Sequence, residues 1–298
     1  MCLTLAAQTK KRGARPQPDD TRAEWAYSNA EFDPNVARLP AGFCGHDIRR
    51  LSSELGKLES GGNKGEFETT LQWTERLRWA EAKPVLGKLT RNSTYAFVIG
   101  QNYSAFDSGF EILYNADYAK FDISAQAEPP VYFYEREKPA GELSLPILCA
   151  RPTERNYVGA NGFGAVREIT EYTHEEYKLI IANADLFPFT DRPGWKLLGF
   201  KQIRRDVFIP PEMAREVKSQ IRLAAVCTLL TPFVTSGFHV KEATLDDPVS
   251  NNISYKYLKV KLLAIWVYNQ NTGVVYAKMQ PAAPPLPPPL LPPPDLVP

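Results

Sequence analysis

Apolar positions along this chain recur with a helical period up to about residue 90 and with a period of two beyond it, which predicts helices followed by strands. Asp20 or Thr21 can cap a short helix through Arg22, Ala23, Glu24, Trp25 and Ala26. Asp47 precedes a second run in which Ile48, Leu51, Leu55 and Leu58 share one helical face, with Gly61 just past its end. A third, from about residue 65 to 82, carries Phe67, Leu71, Trp73, Leu77 and Ala80 and is closed by Pro84. Amphipathic helices of this kind need a surface to pack on.

The strand signals start at Thr94 to Gly100 (TYAFVIG), an apolar run suited to a buried strand. Gly109 to Tyr114, Val131 to Glu135, Leu143 to Cys149, Val166 to Ile181, Trp195 to Val207, Arg222 to Leu230 and His239 to Thr244 follow. The run from Val166 is long and charged, with a break expected near Thr173 to Glu175. Most connections are too short for a crossover helix, so the sheet is expected to be mainly antiparallel.

Tyr255 to Lys278 reads as one long hairpin. Aromatic and β-branched residues dominate it, as suits a pleated, half-buried surface. Up to Leu262 the faces alternate; beyond it both turn apolar, which predicts cover on both sides at that end or a bulge. Asn269 to Gly273 supplies the turn, with Gly273 free to take positive φ, and Val274 to Tyr276 returns. Trp266, in the doubly apolar part, is expected to be buried. After Met279 a proline tract holds ten of the 26 prolines between Pro281 and Pro298, and proline cannot donate to a sheet. A passive spacer, disordered or in polyproline II, explains it better than a specific ligand for a proline-binding module.

Leu145 to Arg151 and Ile209 to Arg215 share Pro, Ala and Arg at matching offsets, which suggests a duplicated strand–short helix–strand unit. Pro211 suits the first position of that helix.

Composition narrows the function classes. At 298 residues the chain can bury one large core or two modest ones. With 35 basic and 34 acidic residues the net charge is +1, and the absence of a basic block argues against phosphate-dominated nucleic-acid binding. No apolar run reaches the ~20 residues of a membrane helix. Leu223 to Val234 comes nearest and contains Pro232. Met1 to Ala7 is apolar and small, but Lys10, Lys11, Arg12 and Arg15 follow it, the reverse of a secretory signal. Two expectations stand side by side. A start lying inside a signal peptide makes the protein periplasmic or secreted; otherwise residues 1–19 are a flexible arm and the protein is cytoplasmic.

Candidate chemistry is sparse. Cys2, Cys44, Cys149 and Cys227 form no close-spaced pair, and Cys149 and Cys227 read as core residues. Cys44, His46 and Asp47 make the densest ligand cluster, yet a loop ending in a helix cap accounts for them. Gly159 to Gly164 lacks dinucleotide spacing and reads as a turn entering a strand. Glu168, Glu171, Glu175 and Glu176 interleave with Arg167, His174 and Lys178, the pattern of a solvated strand face with cross-strand charge pairs. The sequons at Asn92, Asn102 and Asn252 matter only in a secreted eukaryotic chain.

The expected fold is therefore α+β: a helical segment over 20–88, a mainly antiparallel β body over 89–279 and a tail over 280–298. No catalytic residue, cofactor-binding residue, metal ligand or cofactor is assigned. The expected function is a non-enzymatic binding or structural protein of unknown ligand. One alternative is an enzyme that gathers scattered residues such as Glu168, His174 and His239. Another is an adaptor that meets a protein partner through the proline-rich tail. No nucleic-acid partner and no integral membrane segment are expected, and His46, His174 and His239 are not expected to converge.

Overall fold

Asp47 starts the first helix. Its Oδ1 accepts hydrogen bonds from the backbone N–H groups of Arg49 (3.0 Å) and Arg50 (3.4 Å), satisfying donors that a helix start leaves unpaired. Helix α1 (Ile48–Ser60) follows, and its Ile48, Leu51 and Leu55 are buried as the spacing predicts. Asp47→Ala is expected to remove about 1 kcal/mol in urea denaturation, with Asp47→Asn retaining most of the stability. Helix α2 (Thr70–Ala82) begins later than its apolar pattern suggests. Thr69 and Gln72 form a capping box: Thr69 Oγ1 accepts from the Gln72 N–H and Gln72 Oε1 from the Thr69 N–H. That cap leaves Phe67 outside the helix, exposed, and Leu71 is exposed too.

The computed structural model describes residues 27–60, 64–103, 109–131, 142–160 and 166–282. The expected helix at 20–26, the proline tract beyond 282 and all but Val131 of the expected strand at 131–135 lie outside the described residues. The strands are β1 (Thr94–Val98), β2 (Phe110–Asn115), β3 (Lys120–Ala127), β4 (Leu143–Cys149), β5 (Thr153–Ala160), β6 (Val166–Ile181), β7 (Thr190–Asp191) and β8 (Lys201–Phe208). Helix α3 (Pro211–Gln220) then leads into β9 (Ile221–Lys241), β10 (Val249–Asn269) and β11 (Val275–Met279). No described helix is long and apolar enough to cross a membrane.

Seven strands form a mixed sheet in the order β1-β9-β10-β6-β4, with β5 paired to β6 and β11 to β10. The other sheet is antiparallel, β2-β3-β8-β7. One pairing departs from the antiparallel expectation: β6 and β10 run parallel from Val249↔Thr170 to Val260↔Ile181. Short links do forbid a parallel pair between consecutive strands, but β6 and β10 are separated by the whole excursion through β7, β8, α3 and β9.

Three readings are corrected. Strand β6 runs unbroken through Thr173–Glu175 because β10 pairs with it from Thr170 to Ile181, while on its other edge β5 ends at Thr173 and β4 takes over at Glu176. Strand β9 joins two expected strands into one, passing Pro232 and Gly237, residues that read as breaks. Gly237 is required by close approach, since a Cβ would lie 1.9 Å from the Val131 carbonyl oxygen. The proposed duplication fails, because Leu145 to Cys149 lies within β4 while Pro211 does open α3.

The main core fills the space between the sheets. Leu258, Val260, Leu262, Ile265 and Val267 of β10 meet α1, α3 and the inner face of β3 there. Strand β3 is absent from the sequence reading, although Phe121, Ile123, Ala125 and Ala127 alternate inward, because two of its four core residues are only alanines. Beyond Leu262 both faces of β10 are covered, and a register shift between Leu262 and Ala264 marks a bulge. Trp266 is fully buried on the second face, edge-on to Phe32 (centroids 5.1 Å apart) with Lys278 Nζ 3.7 Å from its ring centroid.

Candidate functional site

Strand alternation builds the floor of the site. Along β6, Leu179 and Ile181 enter the core, so His174, Glu176 and Lys178 point to the other face. Their register partners on β10 are Ile253, Tyr255 and Tyr257. The charged alternation reads as a solvated face, and Glu168 and Glu175 are exposed accordingly. Glu176 and Lys178 are not. Their side chains are only 12% and 6% exposed, because chain from other elements covers this end of the strand.

Two segments provide that cover. At the end of β3, Glu128 exchanges backbone hydrogen bonds with Ser144 of β4, which carries its carboxylate to Lys178. Val131 then donates its N–H to the Tyr257 hydroxyl at 2.9 Å, over the space left by Gly237. The β7–β8 connection supplies the opposite wall. Arg192-Pro193-Gly194-Trp195 is a turn closed by Trp195 N–H to the Arg192 carbonyl (3.0 Å), with proline second and Gly194 at φ +77°. The turn stacks the Arg192 guanidinium on Trp195, 5.2 Å from the ring centroid, while Phe200 lies 5.2 Å from Trp195 on a tilted plane.

Between floor and wall lies a cavity of about 520 Å³, a volume typical of small-molecule sites. Tyr103, Glu128, His174, Glu176, Lys178, Arg192, Trp195, Phe200, Asn251 and Tyr255 are among its lining residues.

The polar groups form one network. Lys178 Nζ donates to Glu128 Oε1 (2.5 Å) and Glu176 Oε2 (2.8 Å) and stands 4.4 Å from the Tyr255 ring centroid. Burial works against the lysine's charge, but the two carboxylates outweigh it and hold its pKa above the ordinary value. Burial likewise opposes ionisation of Glu176. Lys178 overcomes that, aided by His174 and Tyr103, and keeps the carboxyl below its usual range. Tyr103 donates its hydroxyl to Glu176 Oε2 at 3.1 Å, and burial followed by the glutamate charge pushes its own pKa up. Burial raises the Tyr255 phenol to about 12. Near neutral pH Lys178 and Glu176 are thus charged and the two phenols neutral.

His174 Nε2 is 3.2 Å from Glu176 Oε1, whereas its Nδ1 is buried without a hydrogen-bond partner; Asn251 Oδ1 is in the same state. A buried polar atom left unpaired costs about 1–3 kcal/mol, so two of them at one cavity mark places where a ligand's polar groups would be stabilised. Nearby, Cys149 Sγ, a His174 ring nitrogen and a Glu176 carboxylate oxygen all lie within 4.8 Å of one another.

The residues singled out by sequence scatter over the fold. The imidazole of His46 is buried: Nδ1 accepts from the Ala96 N–H at 2.9 Å and Nε2 lies 2.9 Å from the Ala30 carbonyl, while burial lowers its pKa. His239 is exposed on β9, and both it and His174 are register partners of Ile253, one on each side of β10. Two strand spacings separate them, roughly 10 Å. Glu168 lies far up β6 and outside the cavity lining. Cys227 is buried, Cys44 is buried beside the Gly42 carbonyl, and Cys149 is half-exposed at the end of β4 rather than in the core. The sequence reading misses Glu128, Arg192, Trp195 and Tyr103. One signal was present: Arg-Pro-Gly-Trp is a turn signature that sets a cation beside an aromatic ring.

No family model, curated protein or solved structure matches this chain.

Proposed function

We propose that this is a small-molecule-binding protein, without catalysis of its own, whose ligand occupies the cavity between the β6–β10 floor and the β7–β8 wall. The observation that carries this reading is the pairing of a fixed polar floor with an aromatic and cationic wall around about 520 Å³ of space. Lys178 is neutralised by Glu128 and Glu176, so it serves the floor more than the ligand. Arg192 has no ion pair among the described residues and presents its donors beside Trp195, with Phe200 completing the aromatic wall. A planar ring carrying an anionic group suits that wall, and its polar edge would meet His174 Nδ1 and Asn251 Oδ1. The enzyme alternative gains little here, because of Glu168, His174 and His239 the cavity takes only His174.

Anilinonaphthalene sulfonate, an aromatic anion with a planar naphthalene ring that fits the volume, is a direct probe. Its fluorescence should titrate to one site per chain. Arg192→Ala and Trp195→Ala should each weaken binding by about tenfold or more, as expected for a lost charge-assisted hydrogen bond or stacking partner. Phe67→Ser, at an exposed apolar residue before α2, should bind as the wild type does. Equal affinity in all four proteins would place the dye on surface patches and remove the proposal.

A further inference from the structure

We infer that Cys149, His174 and Glu176 form a binding site for a divalent transition-metal ion, zinc being the best match, with its fourth position facing the cavity. The inference goes beyond the cavity reading and stands whether or not an organic ligand binds there. It rests on backbone placement and on the chemistry of the three donors.

Cys149 on β4 is the register partner of Glu176 on β6, so their side chains share one face of the sheet. His174 precedes Glu176 by two residues on the same strand, which puts it on that face as well. Strand pairing and strand period thus bring together a sulfur, a nitrogen and an oxygen from two rigid neighbouring strands, with their ligating atoms within 4.8 Å of one another. In a tetrahedral site with bonds of ~2.0–2.3 Å, neighbouring donors are roughly 3.3–3.7 Å apart. Small side-chain rotations of about an ångström therefore close the triangle. Among the described residues no other group of three such donors comes this near.

The surroundings fit a ligand set. Glu176 is divided by oxygen: Oε2 is held by Lys178 at 2.8 Å and Tyr103 at 3.1 Å, whereas Oε1 among the described residues meets only His174 Nε2 at 3.2 Å. A metal on Oε1 keeps Lys178 and Tyr103 as orienting partners behind the ligand. It replaces the weak imidazole–carboxylate contact with two coordination bonds. The Lys178 charge next to the site is offset on its far side by Glu128. Thiolate, imidazole and carboxylate together select a borderline-soft ion over magnesium or calcium, which take oxygen ligands. On binding, the Cys149 thiol releases its proton to solvent as the sulfur–metal bond forms, and the two anionic ligands balance the ion's charge. Three protein ligands leave one position open, and it lies on the cavity side because His174 and Glu176 line the cavity and Cys149 does not.

The test uses the full chain, stripped with a chelator and titrated with zinc against a chromophoric competitor, then with cobalt. The expected result is one ion per chain, with a cobalt spectrum showing tetrahedral visible bands and a near-ultraviolet thiolate-to-cobalt charge-transfer band. Cys149→Ser should abolish that band and His174→Ala should weaken zinc binding at least tenfold. Tyr103→Phe, which loosens only the orientation of Glu176, should weaken it by about ten- to a hundredfold. Failure of the wild type to bind a stoichiometric ion, or a cobalt spectrum without the thiolate band, overturns the inference even if the variants fold poorly. Wild-type-like zinc affinity in folded Cys149→Ser and His174→Ala overturns it too. Since Cys149 lies outside the cavity lining, Cys149→Ser should still bind anilinonaphthalene sulfonate, so loss of the metal site and loss of the cavity site are read separately.

Discussion

Lys178→Ala should destabilise the fold by about 3–5 kcal/mol, the usual result of removing one partner from a buried charged group. Its ammonium lies between Glu128 and Glu176 with only 6% of the side chain exposed, so the alanine leaves two carboxylates facing each other beside a void. Chemical denaturation of metal-free protein measures the loss. Adding Glu176→Gln to Lys178→Met should recover much of it, because a neutral amide no longer carries an uncompensated charge. The pH dependence has a definite sign. In the wild type Glu176 has a lowered pKa, so its stabilisation is present above the ordinary carboxylate value and is lost as pH falls through the lowered one. Without Lys178, burial raises that pKa instead, and protonation then favours the folded state. The stability gap between wild type and Lys178→Met should therefore narrow as pH drops from neutral toward 4.5, the ordinary glutamate value. A gap that stays constant with pH would show that Lys178 acts through packing alone.

Trp266→Ala should be comparably severe, about 3–5 kcal/mol, for a different reason. Trp266 is 1% exposed, and its removal opens a cavity bounded by Phe32 and strands that cannot collapse inward. It also strips Lys278 of the ring on which its ammonium rests and Phe32 of its edge-on partner. Trp266→Phe, which keeps an aromatic ring, should lose clearly less. Thermal unfolding decides: on the order of 10 °C of lowered midpoint is expected for alanine. A stable Trp266→Ala protein with altered dye binding would instead move Trp266 from core to site.

The sequence foretells local features governed by local chemistry. Asp47 caps α1 because an aspartate before an amphipathic run is a cap in almost any context. The β10–β11 hairpin forms where its turn residues stand, with Gly273 at φ +73° and no room for a Cβ against the Leu39 carbonyl. Pairings set by long-range topology are not legible in this way. Nothing in β6 or β10 alone says that they run parallel, since the register depends on what folds between them. Pro232 and Gly237 are breakers by local rule, yet β9 continues through both because β10 pairs with it on either side of the irregularity.

The site is the least legible part, for the same reason. His174, Glu176 and Lys178 carry the same alternation as a solvated strand, and only cover from the end of β3 and the β7–β8 turn makes them a buried network. Glu128 and Lys178 are fifty residues apart in the chain and meet through strand pairing at β4. Cys149 and Glu176 become partners only through the β4–β6 register. The His-x-Glu spacing within a strand was the available clue, and it gains meaning only once the third donor is placed beside it.

The most direct measurement is a crystal structure of the full chain grown with anilinonaphthalene sulfonate. The expected result is the ring against Trp195 and Phe200, the sulfonate within hydrogen-bond distance of Arg192, and the dye's edge over His174 and Asn251. A dye molecule seated only elsewhere on the surface, with the space between the β6–β10 floor and the Arg192–Phe200 wall collapsed or filled by protein side chains, would contradict this.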